Sequence, residues 1–207
     1  NQLLTFAKGG VPLKETISLS HLVEEVVPFN LSGSNVKPVI SQPDNLWLAS
    51  IDQGQIQQVL GNLTINAMQA MPNGGELQIT LENAEILDSQ LLGLDEGKYI
   101  WITLADNGTG IDPEHLERIF EPYFTTKQSG SGLGLATVYS IIKKHGGHIS
   151  VTSQLGQGAT FTLYLPVAKD QILPPVPTVN VAAPRSLAAR VFVMDDEEMI
   201  CDIVKAM

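Results

Sequence analysis

The sequence predicts a mixed helix-and-strand domain of the α/β class, and three observations carry that prediction. Residues 52–71 hold an apolar stripe at helical spacing: Ile56, Val59, Leu60, Leu63, Ala67 and Ala70. Residues 76–85 and 99–105 alternate apolar and polar side chains, as half-buried strands do. Two further strand-like runs, 148–153 and 160–165, are joined at Gly156-Gln157-Gly158.

Taken in order, residues 1–8 have the character of the last turns of a helix, stopped by Gly9, Gly10 and Pro12. Residues 18–29 carry helical spacing through Leu19, Leu22, Val23 and Val26 and are expected to end near Pro28. Strands are expected at 36–41 and 46–51, around the turn Pro43-Asp44-Asn45. Asp52 is the expected N-cap of the long helix, which Pro72-Asn73-Gly74-Gly75 ends. An acidic connection, 86–98, joins the two alternating strands, and Asp106 to Ile111 forms a glycine turn. Asp112 and Pro113 then open a short helix, with Asp as cap and Pro at the first helical position. Residues 128–134 form a Ser/Gly loop before a helix over 135–144, closed by Gly146-Gly147. Residues 168–189 lack periodicity and are rich in Pro, Ala and Val, as a semi-rigid linker is. A short apolar strand run at 190–194, an acidic turn and a helix start complete the chain. Asn1 is not an initiator methionine and Met207 stands inside a helix-like stretch, so both ends are expected to be cut points in a longer chain.

Composition narrows the function. At 43% hydrophobic and 16% charged residues, the chain can bury a core and does not have a disordered composition. A net charge of −10 argues against a general grip on nucleic-acid phosphates, but not against a small phosphorylated ligand held by local amides and a metal. The one cysteine, Cys201, excludes an intramolecular disulfide and suggests a reducing compartment. No apolar run approaches the ~20 residues that span a bilayer. A cytoplasmic location is therefore expected, with any membrane anchor belonging to other parts of the parent.

Three clusters could carry chemistry. Asn62 and Asn66 lie four residues apart, hence on one helix face, with Gln55 and Gln69 extending it. Carboxamide oxygens there can serve a hard cation such as Mg²⁺; the alternative is a solvated helix face. In Asp106-Asn107-Gly108-Thr109-Gly110, a carboxylate at a strand end can accept from an exocyclic amine while glycines admit a flat ring. A hairpin turn is the alternative, and the helix expected after Asp112 fits it poorly. Lys127 to Gly134 (KQSGSGLG) places glycine amides directly before a helix, where anions are welcome, although a plain linker loop explains it equally well.

In combination and in this order, Asn62-x-x-x-Asn66, Asp106-x-Gly108-x-Gly110, Phe120-Glu121-Pro122-Tyr123-Phe124 and Gly130-x-Gly132-Leu133-Gly134-Leu135 resemble the histidine-kinase branch of the superfamily shared with gyrase, Hsp90 and MutL. The resemblance covers residues 19–166. It implies a two-layer α/β sandwich, with a mixed, mostly antiparallel sheet, helices on one face and an ATP lid. Carried over by position, it implies Asn66 as the Mg²⁺ ligand, Asn62 as its polar support and Asp106 as the partner of the adenine amine. Gly108 and Gly110 would shape the pocket. Residues 120–134 would form the mobile lid, with Phe120, Tyr123, Thr126, Lys127, Gly130, Gly132, Leu133, Gly134 and Leu135 toward ATP, and Thr160 joining from a later strand.

The departures from the pattern are informative. ATP-hydrolysing relatives carry a glutamate base where this chain has Asn62, so transfer to a protein nucleophile is favoured over hydrolysis. Gln69-Ala70 stands where many histidine kinases have Lys-Tyr, and Pro122 where others have a phosphate-contacting Arg. Phosphate neutralisation is then expected to rest on Lys127. This combination resembles the nitrogen-regulation and hybrid-kinase subset.

Residues 1–10 would be the end of a dimerisation and phosphoacceptor hairpin, 11–167 the catalytic domain, 168–189 the linker and 190–207 the start of a receiver domain. In an intact receiver Asp195 and Asp196 would hold Mg²⁺. His21, His115, His145 and His148 are expected to be structural or solvated, so the phosphoacceptor would lie elsewhere on the hairpin. The implied activity is a protein-histidine kinase, with ATP, the hairpin and a receiver or response regulator as partners and no nucleic acid. The piece itself is expected to be a monomer or weak dimer and its parent a homodimer. The alternatives are an ATP-driven conformational clamp and a degenerate nucleotide-binding scaffold.

Overall fold

The computed structural model describes residues 10–88, 93–127 and 130–169. The helix end expected at 1–8, most of the linker and the receiver start with Asp195 and Asp196 lie outside the described residues. The described elements run β1 (Glu15–Ile17), α1 (Leu19–Leu31), β2 (Val36–Ser41), β3 (Ala49–Ile51), α2 (Gln53–Ala70), β4 (Gly75–Ile86), β5 (Gly97–Asp106), α3 (Pro113–Leu116), α4 (Gly134–Lys144), β6 (His148–Gln154) and β7 (Gly158–Pro166).

Five strands form one sheet in the order β2-β4-β5-β7-β6. Only β2 and β4 run parallel; the other three ladders are antiparallel. The period-2 pattern of the sequence explains the two faces. On β4, Leu77, Ile79 and Leu81 are buried while Glu76, Gln78 and Glu82 are exposed. Ile100, Ile102 and Leu104 of β5 and Phe161, Leu163 and Leu165 of β7 continue the buried face. Against it pack the stripe of α2 (Ile56, Val59, Leu60, Leu63) and Val138 and Ile142 of α4, with α1 alongside α2. Each fully buried Leu or Ile contributes about 1.5–3 kcal/mol, so this single interface dominates the stability. The result is the α/β sandwich that the resemblance implies, with helices on one side of a mixed sheet.

Local chemistry sets the ends. Asp52 caps α2 by accepting from the Gln55 amide at 3.0 Å, and Asp112 caps α3 by accepting from the Glu114 amide at 2.9 Å. Two expectations need correction. Helix α1 does not end near Pro28 but continues to Leu31, because Pro28 and the residue four before it, Glu24, both face solvent. Water can therefore serve the carbonyl that the proline leaves unbonded. Of the strand expected over 46–51, only Ala49–Ile51 pairs, and its partner β1 had no counterpart in the sequence reading. Among the described residues no helix is long and apolar enough to cross a membrane.

Candidate active site

The ends of β5, α2 and β7 converge on Asp106. Its Oδ1 accepts the Gly108 amide at 2.9 Å and the Ala159 amide at 3.3 Å. Both bonds go to one oxygen, which leaves Oδ2 for a donor from outside the chain. Burial pushes the carboxyl pKa up, and the two amide bonds oppose that shift. A desolvated carboxylate with one unused oxygen is suited to an amine that presents a fixed N–H.

The glycines around Asp106 are needed for close backbone approach. A Cβ on Gly108 would stand 2.6 Å from the Ala70 carbonyl oxygen, where the turn meets the end of α2 and the Thr109 amide donates to that carbonyl at 3.1 Å. Gly110 has φ +69°, and a Cβ there would lie 2.2 Å from the Gln154 carbonyl oxygen. Gly108 and Gly110 thus let the turn pack onto α2 and β6. Thr160 was also expected at the pocket. It pairs with Ala105, and by strand alternation its side chain lies on the sheet face away from the helices. The neighbouring Ala159 is the residue that meets Asp106, and the inward register of Phe161 and Leu163 was the sequence signal for it. A shallow depression of about 230 Å³ opens beside Asp106 and is lined by Glu76, Gln78, Ala105 and Asn107. Its Glu76 makes it a poor seat for phosphates.

Helix α2 supplies the second cluster. Asn66 and Gln69 offer their carbonyl oxygens to Lys127 Nζ, at 3.2 Å for Asn66 Oδ1 and in a still shorter contact for Gln69 Oε1. Desolvation holds the Lys127 pKa below the ordinary lysine value. Asn62 does something different: its Nδ2 donates to the Gly134 carbonyl at 3.2 Å and ties α2 to the first residue of α4. A carboxamide used as a donor is no base, so nothing at position 62 can take a proton from water.

Residues 120–127 and 130–135 reach the second cluster through Lys127 and Gly134. Phe120 stacks obliquely on Tyr139 with 5.6 Å between ring centroids, and Arg118 lies over Phe124. The Tyr123 amide donates to the Gly132 carbonyl at 2.9 Å. Tyr123 is the one non-glycine with positive φ among the described residues (+68°), and it is 66% exposed. Leu133 is buried and Leu135 packs against the core. α4 starts at Gly134 without a side-chain cap, so its first-turn amides stand as anion donors, with Gly130 and Gly132 just before them. Thr126 makes no described contact with either cluster.

His145 is fully buried and belongs to the scaffold. Its Nε2 accepts the Asp52 amide at 2.9 Å and its Nδ1 donates to the Ile141 carbonyl at 2.8 Å, which fixes a neutral tautomer. Lys14 Nζ donates to the His145 carbonyl at 2.9 Å, and the Leu13 amide to Asp52 Oδ2 at 3.1 Å. Burial, before the smaller effects of its neighbours, lowers the His145 pKa.

The family described as "Histidine kinase-, DNA gyrase B-, and HSP90-like ATPase" matches residues 51–169, from the end of β3 through β7. The chain belongs to this family. Its domain resembles the sensor kinase CckA of Brucella abortus at 38% identity over 172 residues, 80% of this chain and 18% of the relative. The signal transduction histidine-protein kinase AtoS of Escherichia coli is 41% identical over 169 residues, 80% of this chain and 26% of the relative. The E. coli sensor histidine kinase ZraS is 36% identical over 168 residues, 75% of this chain and 34% of the relative. The matched stretch of this chain thus spans about a third or less of these relatives. Among solved structures, full-length ShkA in complex with AMPPNP superimposes with a TM-score of 0.67 at 25% identity, covering 83% of this chain and 36% of that one. The catalytic domain of histidine kinase ThkA gives 0.61 at 28% identity, covering 74% of this chain and 95% of that one.

Proposed function

We propose that this ATPase-family domain is the catalytic domain of a two-component sensor histidine kinase. It would pass the γ-phosphoryl group of ATP to a histidine on the dimerisation hairpin of its parent chain. The carrying observation is Asp106, a desolvated carboxylate with two amides on Oδ1 and Oδ2 left for the adenine amine. The likeness to sensor kinases at 36–41% identity supports the same reading.

The residues fit the nucleotide without a step being assigned to it. ATP supplies the phosphoryl group, and Mg²⁺ bound with it neutralises charge on its oxygens. Asp106 orients the base. Asn66 offers a carbonyl oxygen of the kind Mg²⁺ accepts. Lys127 and the first-turn amides of α4 face the negative charge. Asn62 holds α2 to α4 and, having no basic oxygen partner for water, leaves hydrolysis uncatalysed. That last point favours transfer over an ATP-driven clamp.

The finer assignment is the nitrogen-regulation and hybrid-kinase subset, in a cytoplasmic, homodimeric parent, with a receiver beginning near residue 190. Gln69, Pro122 and the acidic pair Asp195-Asp196 support it. The test mixes this chain with γ-labelled ATP, Mg²⁺ and the parent's hairpin supplied in trans. Acid-labile label on the hairpin histidine and none on this chain is the expected result. Release of inorganic phosphate at the same rate without the hairpin would instead identify a clamp ATPase.

A further inference from the structure

Helix α2 presents two carbonyl oxygens, Asn66 Oδ1 and Gln69 Oε1, to one cation. They are three residues apart and therefore neighbours on the same helix surface. The cation they hold is the ammonium of Lys127, brought from a segment 61 and 58 residues away. An ammonium is a compact point charge with three donors and no acceptor, and two of its donors are used here. Hard divalent cations seek the same type of ligand, a neutral carbonyl oxygen. Both residues and Lys127 are in reach of solvent, and neither carboxamide accepts another described bond.

We propose that Gln69 is part of the cation seat of this domain, and that Lys127 and the nucleotide-bound divalent cation occupy that seat in turn. This rests on the reading of the domain as an ATP site. The same charge serves in both arrangements. While Lys127 sits on Asn66 and Gln69, it is withheld from the phosphates. When the divalent cation arrives with the nucleotide, it takes the carbonyl oxygens, and Lys127 is released toward the phosphate oxygens. Binding of metal and capture of phosphate are thereby coupled through the neutral side chain of Gln69.

The inference gives opposite signatures for two substitutions at an exposed position that should not disturb folding. In Gln69→Leu, Lys127 loses one of its two acceptors, so AMPPNP binding in EDTA tightens about 3–10-fold, the net worth of one solvent-exposed hydrogen bond. The enhancement of affinity by Mg²⁺ falls by a similar factor. In Gln69→Glu, Lys127 is held more firmly, so binding in EDTA weakens and the Mg²⁺ enhancement grows. Isothermal titration with and without Mg²⁺ reads all four numbers. Lysine-ammonium NMR supplies an independent readout: a Lys127 signal in the wild type, shifted by Mg²⁺–AMPPNP and lost in Gln69→Leu. If wild-type AMPPNP binding depends on Asp106 but Gln69→Leu matches the wild type in both conditions, the shared seat is wrong and the ATP site stands. A wild-type chain that binds no nucleotide overturns the ATP site and this inference with it.

Discussion

His145 Nε2 accepts the backbone amide of Asp52 at 2.9 Å, joining the C-terminal end of α4 to the N-cap of α2 across 93 residues of sequence. The two helices that frame the site are thus registered by a fully buried neutral imidazole. Leu13 and Lys14, just before β1, bond to the same pair of residues.

A pH dependence follows from that imidazole. Its pKa in the folded chain is lowered by burial, so the unfolded chain binds more protons between that value and the ordinary ~6.5. Stability from His145 is therefore fully present above ~6.5 and lost as pH falls through this window, with a slope of at most about 1.4 kcal/mol per pH unit. Urea midpoints between pH 5 and 8 are the check. The slope should disappear in His145→Gln, which should also lose about 1–3 kcal/mol at neutral pH.

Two glycines should respond in opposite directions to alanine. Gly110→Ala forces an L side chain into φ +69° and against the Gln154 carbonyl, so a loss of about 2–4 kcal/mol is expected. Gly54 lies in the first turns of α2, and the nearest atom to an added Cβ is 3.6 Å away. Gly54→Ala should gain about 0.4–1 kcal/mol. Thermal melts of the two variants beside the wild type decide the matter.

Asp106 sets function against stability. Its pKa is raised, so its contribution to stability is fullest below the ordinary carboxylate value and is lost as pH rises through the folded pKa. Asp106→Asn keeps an oxygen for the Gly108 and Ala159 amides and removes the half-buried charge. At neutral pH the variant should melt at or above the wild-type temperature. A clearly lower melting temperature would mean that the carboxylate is held for the fold and not for a ligand.

Much of this arrangement was legible in the sequence because it is local or periodic. The stripe of α2, the alternation of β4 and β5 and the caps Asp52 and Asp112 need only neighbours in sequence, and the structure has them within a residue or two. What was not legible depends on distant partners. β1 is three residues long and is a strand only because β3 pairs with it. His145 gave no sign of its bond to Asp52, nor Gln69 of its contact with Lys127. The motif order led to Asp106, Asn62 and Asn66 and to a supporting role for Asn62, but not to its bond with the Gly134 carbonyl. Thr160 was expected at the pocket, but the alternation set by the apolar Phe161 and Leu163 turns it away from the helices.

The central claim is that Asp106 anchors a nucleotide base, and calorimetric titration of AMPPNP with Mg²⁺ into the wild type and Asp106→Asn tests it most directly. The account predicts saturable one-to-one binding to the wild type and at least ~30-fold weaker binding to the variant, the loss of a charge-assisted bond of about 2–3 kcal/mol. Equal affinity for both proteins, with both still folded, would contradict it.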